Sequence, residues 1–159
     1  MTQLLSGRDV ARQIGERFPD AVAASDDNMV LLNSEALLDV AGFLKEDLGF
    51  DYLTSITAID YLEYFELVYH LTSIKKNQGL VLKARCARGD VGGGVPSIVS
   101  LWQGADLQER EIYDLFGISF KGHPNLKRIF LWDGFQGHPL RKDFVLDVPG
   151  GGLKGSRRE

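Results

Sequence analysis

The chain has one cysteine in 159 residues, Cys86. A lone thiol closes no internal disulfide, and a cysteine-bound cluster needs about four ligands. Long apolar runs are also missing; the longest are short, such as Ala36-Leu37-Leu38. A membrane-spanning helix needs about 20 apolar residues, so no membrane span is expected. Gly92-Gly93-Gly94 lacks the Lys-Ser/Thr that completes a phosphate-binding loop. There is no GxSxG elbow and no metal-binding motif. The opening MTQLLSGRDVARQIGERF has no apolar core for a secretory signal, and Asp9 and Glu16 argue against a transit peptide. A mature bacterial or archaeal start is the expectation.

What is present is ordinary globular material: 44% hydrophobic and 25% charged residues, enough for one domain with a core. Cys86 lies in the alternating run Leu80–Cys86 and reads as a small buried strand residue; a reducing compartment is consistent with it. Charge is uneven. Residues 1–120 hold 10 Lys and Arg against 18 Asp and Glu, a net −8. Residues 121–159 hold 8 against 4, a net +4. A basic tail on an acidic body points to an acidic surface as its target. It has no clustered basic face, so nucleic acid is not the expected partner.

Hydrophobic spacing predicts an α+β fold in two layers. A helix over 7–17 carries Val10, Ile14 and Phe18. Short strands at Ala21–Ala24 and Met29–Leu32 flank an Asp26-Asp27-Asn28 turn. Ser34 is expected to cap a second helix, with Leu37, Val40, Ala41 and Leu44 on its apolar stripe and Gly49 at its end. Three strands follow at Tyr52–Ile59, Phe65–Ser73 and Leu80–Ala87, joined as an antiparallel meander. In the first, Leu53, Ser55 and Thr57 are expected on one face. Tyr52, Thr54, Ile56 and Ala58 are expected on the other. The run Gly89–Pro96 reads as a flexible break. Gly150–Gly152 and Lys154–Glu159 read as a disordered end. The domain is expected over 1–120 and an extended tail over 121–159.

The segment Glu109–Phe144 is the most specific. Asp106 is placed to N-cap a helix over Leu107–Phe116, Glu109 to reach back to it, and Gly117 to end it in the left-handed region. Leu107, Ile112, Leu115 and Phe116 do not share one narrow stripe with Tyr113, so a second surface must receive some of them. Arg110 and Asp114 have the spacing of an ion pair along the helix, with Glu111 beside them. Gly122-His123-Pro124 and Gly137-His138-Pro139 are two similar turns. Their histidines lack metal-ligand spacing and are expected to hydrogen-bond backbone. Arg141-Lys142-Asp143 suits pairing with a partner's charges. A small enzyme would need His123, Asp114 and Glu111 to converge in a pocket.

The pattern Glu109-Arg110-Glu111, Asp114-Leu115-Phe116, His123, Lys127-Arg128-Ile129 resembles the signature of the C-type subunit of respiratory complex I. This is the 30 kDa, or iron–sulfur protein 3, subunit of NADH:quinone oxidoreductase. Gly134-Phe135 and Gly137–Phe144 resemble the tail motif of the same family, although Val145 stands where a proline usually follows. The resemblance implies a non-catalytic structural and assembly subunit of the peripheral arm of a proton-translocating oxidoreductase. It implies that the chain braces the D-type subunit, which forms the quinone pocket with the B-type subunit. FMN, iron–sulfur clusters and quinone would be bound by partner subunits, with none in this chain. The chain would lie peripherally on the cytoplasmic side of the cell membrane. The implied partner interface is Glu109, Arg110, Glu111, Asp114, His123, Pro124, Lys127, Arg128, His138, Pro139, Arg141, Lys142 and Asp143. Membrane-bound hydrogenases and F420H2 dehydrogenases carry similar subunits, and these form the alternative.

Overall fold

The computed structural model describes residues 1–89 and 94–146. The expected disordered end lies outside them, as do residues 90–93 of the Gly89–Pro96 break, which ends in a short strand at Val95–Pro96. In chain order the elements are β1 (Gln3–Leu4), α1 (Gly7–Arg17), β2 (Val22–Ser25), β3 (Val30–Leu32) and a 3-10 turn (Ser34–Ala36). Then come α2 (Leu37–Glu46), β4 (Tyr52–Asp60), β5 (Tyr64–Ser73), β6 (Gln78–Ala87), β7 (Val95–Pro96), α3 (Ala105–Phe116) and β8 (Phe120–Lys121). The expected α+β order is present.

The main sheet runs β2-β3-β6-β5-β4, and β1 adds to β6. The meander β4-β5-β6 is antiparallel throughout. β3 pairs with β6 in parallel, which requires a crossover between them. The two-residue β1 was too short to show in the sequence pattern. Asp26 makes the β2–β3 turn by accepting the amides of Asn28 (2.7 Å) and Met29 (2.9 Å). The 3-10 turn Ser34–Ala36 fills the helix start expected at Ser34. α2 begins at Leu37, and no side chain caps it.

One core unites the layers. Val10 and Ile14 of α1, Leu37, Val40 and Leu44 of α2, and Ala105 and Ile112 of α3 all belong to it. Phe65, Leu67, Tyr69 and Leu71 meet them from β5, in the alternation that a strand imposes. Cys86 is a buried member, and burial pushes its thiol up to about 11. β4 corrects the expected faces. Its register steps from Leu53↔Leu71 to Ser55↔His70, a bulge around Thr54. The extra residue reverses the alternation, so Leu53 and Ile56 both reach the core. Gly7 shows why α1 starts where it does: a Cβ there would lie 2.4 Å from the carbonyl oxygens of Asp26 and Met29.

Candidate functional site

α3 begins two residues earlier than its sequence suggests. Gly104 occupies the N-cap position, with no side-chain cap, so the cap expected at Asp106 is not made. Asp106 instead sits in the first helical turn, where a negative charge suits the helix dipole. The C-terminus is as expected: Gly117 has φ 72° and returns its N–H to the Tyr113 carbonyl at 2.9 Å.

The helix carries two fully buried acids, Glu109 and Asp114. Glu109 does not reach back to a cap; its side chain is fully buried. It accepts the Ser97 hydroxyl at 2.6 Å and the Ile98 amide at 2.9 Å. Burial raises its pKa, and those two bonds with His123 offset this only in part. The ring of His123 is buried between α3 and the following turn. Its Nδ1 accepts the Asn125 N–H at 3.0 Å, so the proton belongs on Nε2. Nε2 faces the Asp106 carbonyl and carboxylate, each at 3.2 Å.

Asp114 does not pair with Arg110 either. One of its oxygens accepts three consecutive amides, from Ile129 (3.1 Å), Phe130 (2.8 Å) and Leu131 (3.0 Å). Arg128 lies 3.4 Å from the other. Burial pushes this acid up, but the Leu131, Phe130 and Ile129 amides and Arg128 more than offset it, so its pKa is lowered. Arg110 turns its Nε to the Lys127 carbonyl at 3.1 Å. Glu111 is left exposed.

The residues after β8 form a strap without regular structure up to Leu146, laid back over α3 and the end of the sheet. This is the second surface that α3 needed. The Leu140 amide donates to the Leu115 carbonyl at 3.0 Å. His138 bonds the Asp114 carbonyl through Nδ1 at 2.8 Å, and its ring occupies the space a Cβ of residue 117 would take, 2.6 Å from that point. Both histidines of the two turns thus bond backbone, as expected. Among the described residues no group of three or more His, Cys, Asp or Glu is arranged to hold a metal.

Arg141 and Asp143, expected to pair with a partner, are used inside the chain. Arg141 donates to the Phe116 carbonyl at 2.6 Å and lies 5.2 Å over the Phe65 ring. Asp143 pairs with Arg88 at 2.8 Å. Arg128 also donates to the Gly137 carbonyl at 3.2 Å. Pro124, Lys127 and Lys142 are exposed, and Pro139 is half-buried. Asp60 and Arg88 were not anticipated. Asp60 accepts the Lys142 amide across 82 residues of sequence, a separation no local pattern reveals.

Beside these polar groups the strap exposes several large apolar side chains. Phe130 is 64% exposed, Trp132 69% and Val145 82%, with Leu140 and Leu146 exposed as well. Trp132 meets Phe135 edge-on at 4.9 Å, and Phe135 stacks on Phe144 at 6.0 Å. The aromatic side chains are therefore held in place while part of their surface meets water. These exposed apolar side chains make the strap the candidate interaction surface. No described helix is long and apolar enough to cross a membrane.

Comparison with known proteins identifies the family of the chain. Residues 30–149 match the family described as "Respiratory-chain NADH dehydrogenase, 30 Kd subunit". The chain is 41% identical to the C-type subunit of the NADH-quinone oxidoreductase of Citrifermentans bemidjiense, over 86% of this chain and 88% of that protein. The corresponding protein of Moorella thermoacetica is also 41% identical, over 88% of this chain and 96% of its own length. Among solved structures, the membrane-bound sulfane sulfur reductase, an archaeal respiratory membrane complex, contains a chain with a TM-score of 0.70 and 27% identity. That match spans 88% of this chain and 86% of the other. A trypsin-resistant fragment of Nqo5 has a TM-score of 0.60 and 30% identity, over 75% of this chain and 97% of the fragment.

Proposed function

The chain belongs to the 30 kDa subunit family of the respiratory-chain NADH dehydrogenase, and from that premise we propose that it is a structural and assembly subunit of the peripheral arm of NADH:quinone oxidoreductase. It braces the D-type subunit, which forms the quinone pocket with the B-type subunit, on the cytoplasmic side of the cell membrane. Flavin, iron–sulfur clusters and quinone belong to the partner subunits, and this chain contributes no catalytic residue. The observation that carries this reading is the strap's outward face, where Phe130, Trp132, Leu140, Val145 and Leu146 are all more than half exposed. An isolated domain gains nothing from ordering that much apolar surface toward water. A partner that covers it gains about 25 cal/mol per Å². Pro124, Lys127 and Lys142 of the same strap are exposed too, groups of the kind that form an interface rim.

The test is co-purification. The tagged chain, extracted from native membranes, is expected to bring down a complex that reduces quinone with NADH. Trp132→Ala should lower the chain's share in that complex while leaving its own stability to denaturant within about 0.5 kcal/mol of the parent. A chain found alone, or a Trp132→Ala chain incorporated at full yield, would overturn the reading. The likeness to a chain of the sulfane sulfur reductase complex supports a second reading, the equivalent subunit in a related membrane-bound hydrogenase or F420H2 dehydrogenase complex. The electron donor that drives the purified complex separates the two.

A further inference from the structure

Asp60 closes β4 with its carboxylate buried, 4% exposed. It accepts the Leu62 amide at 2.7 Å and the Lys142 amide at 2.9 Å, and it pairs with the Arg88 guanidinium. Arg88 follows β6 directly. Its side chain is 16% exposed, and its second terminal nitrogen reaches the Asp143 carboxylate at 2.8 Å. The guanidinium groups of Arg88 and Arg141 both lie over the Phe65 ring, at 4.7 and 5.2 Å. One arginine of the domain is therefore held by two carboxylates, one from the domain and one from the strap. The neighbouring strap arginine is fixed on the same ring.

We propose that Asp60 and Arg88 form a latch that docks the strap before any partner arrives, drawing Arg141 and the Lys142 amide onto the domain while Leu140 and Val145 face outward. The proposal rests on the subunit reading above. The side chain of Arg141 and the amide of Lys142 are drawn inward, while Leu140 and Val145 on either side face water. A charged strap left to itself would turn the other way, since charged groups prefer water. The latch reverses that preference with charge-assisted hydrogen bonds in partly buried surroundings. Only the latched fraction of chains presents the apolar face, and affinity for a partner falls in proportion to that fraction. Asp60 and Arg88 are positioning residues that act through the strap.

The test uses the full chain and trypsin, which cuts after Arg141 and Lys142. Asp60→Ala is expected to speed cleavage at those bonds about tenfold, since cleavage tracks the open population. Asp60→Asn keeps an acceptor for the Lys142 amide and should recover part of the protection. Asp143→Asn alters an exposed side chain, so the core stays intact, and about a threefold acceleration is expected. In cells expressing tagged parent and variant chains together, the variants should be under-represented in the purified membrane complex in the same order. Unchanged trypsin rates for both Asp60→Ala and Asp143→Asn would overturn the latch. Faster cleavage with equal incorporation would overturn its role in presenting the strap. Absence of the parent chain from the membrane complex would sink the subunit reading, and the latch would then stand or fall on the trypsin rates alone.

Discussion

Glu109 and Asp114 sit five residues apart on one helix, and both are fully buried, yet their pKa values move in opposite directions. Glu109 faces the loop after β7 and finds two donors there. Asp114 faces the strap and finds three amides and an arginine. Burial alone does not decide the fate of a carboxylate; the number of donors aimed at it does. On the Glu109 side the helix is fastened to its own domain. On the Asp114 side the helix anchors the first part of the strap, at Ile129–Leu131.

The strongest test of that difference is to remove the anchor. Asp114→Ala leaves three amides and Arg128 without their acceptor, and a loss of about 3–5 kcal/mol is expected from a broken buried pair. The denaturant midpoint measures it, against a total stability of about 5–15 kcal/mol for a domain. A loss below about 1 kcal/mol would mean that the strap does not depend on this acid.

Gly117→Ala comes next. It forces an alanine to φ 72° and places a methyl where the His138 ring lies. A cost of roughly 1–3 kcal/mol is expected from the backbone strain, with a shift of the His138 imidazole resonances as the strap moves. Unshifted resonances would show that the ring is not packed on the helix end.

The pH dependence separates the two acids by sign. Asp114's pKa is lowered in the fold. Its stabilisation is therefore full above the ordinary value of 3.8 and is lost as pH falls through the lowered one. Glu109's pKa is raised. Its contribution is full below the ordinary 4.5 and declines as pH rises through the raised value. Relative to the parent, Asp114→Asn should be most destabilised near neutrality, with the gap closing in acid. Glu109→Gln should gain on the parent as pH rises from acid. Denaturant midpoints measured from about pH 3, below both ordinary carboxylate values, to about pH 7 would break the comparison if both gaps moved the same way.

The smallest effect is that of His138→Ala, which removes one bond to the Asp114 carbonyl. About 1 kcal/mol is expected for a neutral hydrogen bond, and faster amide exchange at Leu140 should accompany it.

Much of the domain was legible in the sequence. Alternation in β5 and β6 and the apolar spacing of α1 and α2 depend on neighbours along the chain, and they put the right side chains in the core. The bulge in β4 was not legible, because an extra residue leaves the composition of a strand unchanged. The helix end at Gly117 was legible because a left-handed residue favours glycine. The helix start was not. Asp106, Glu109 and Asp114 fit capping and ion-pair spacings, but stronger donors lay elsewhere in space. The strap's motif residues were recognisable as a group, and the direction each one faces was not.

The sequence by itself determined the class of fold, the order of the larger elements and the family, since all three are written in local spacing and residue type. Only the tertiary structure decided which charges are used inside the chain. Asp60 meets Lys142, and Asp114 meets Ile129–Leu131, across separations that only folding closes. With Arg128 and Arg141 used internally, Phe130, Trp132, Leu140 and Val145 stay exposed beside the side chains of Lys127 and Lys142.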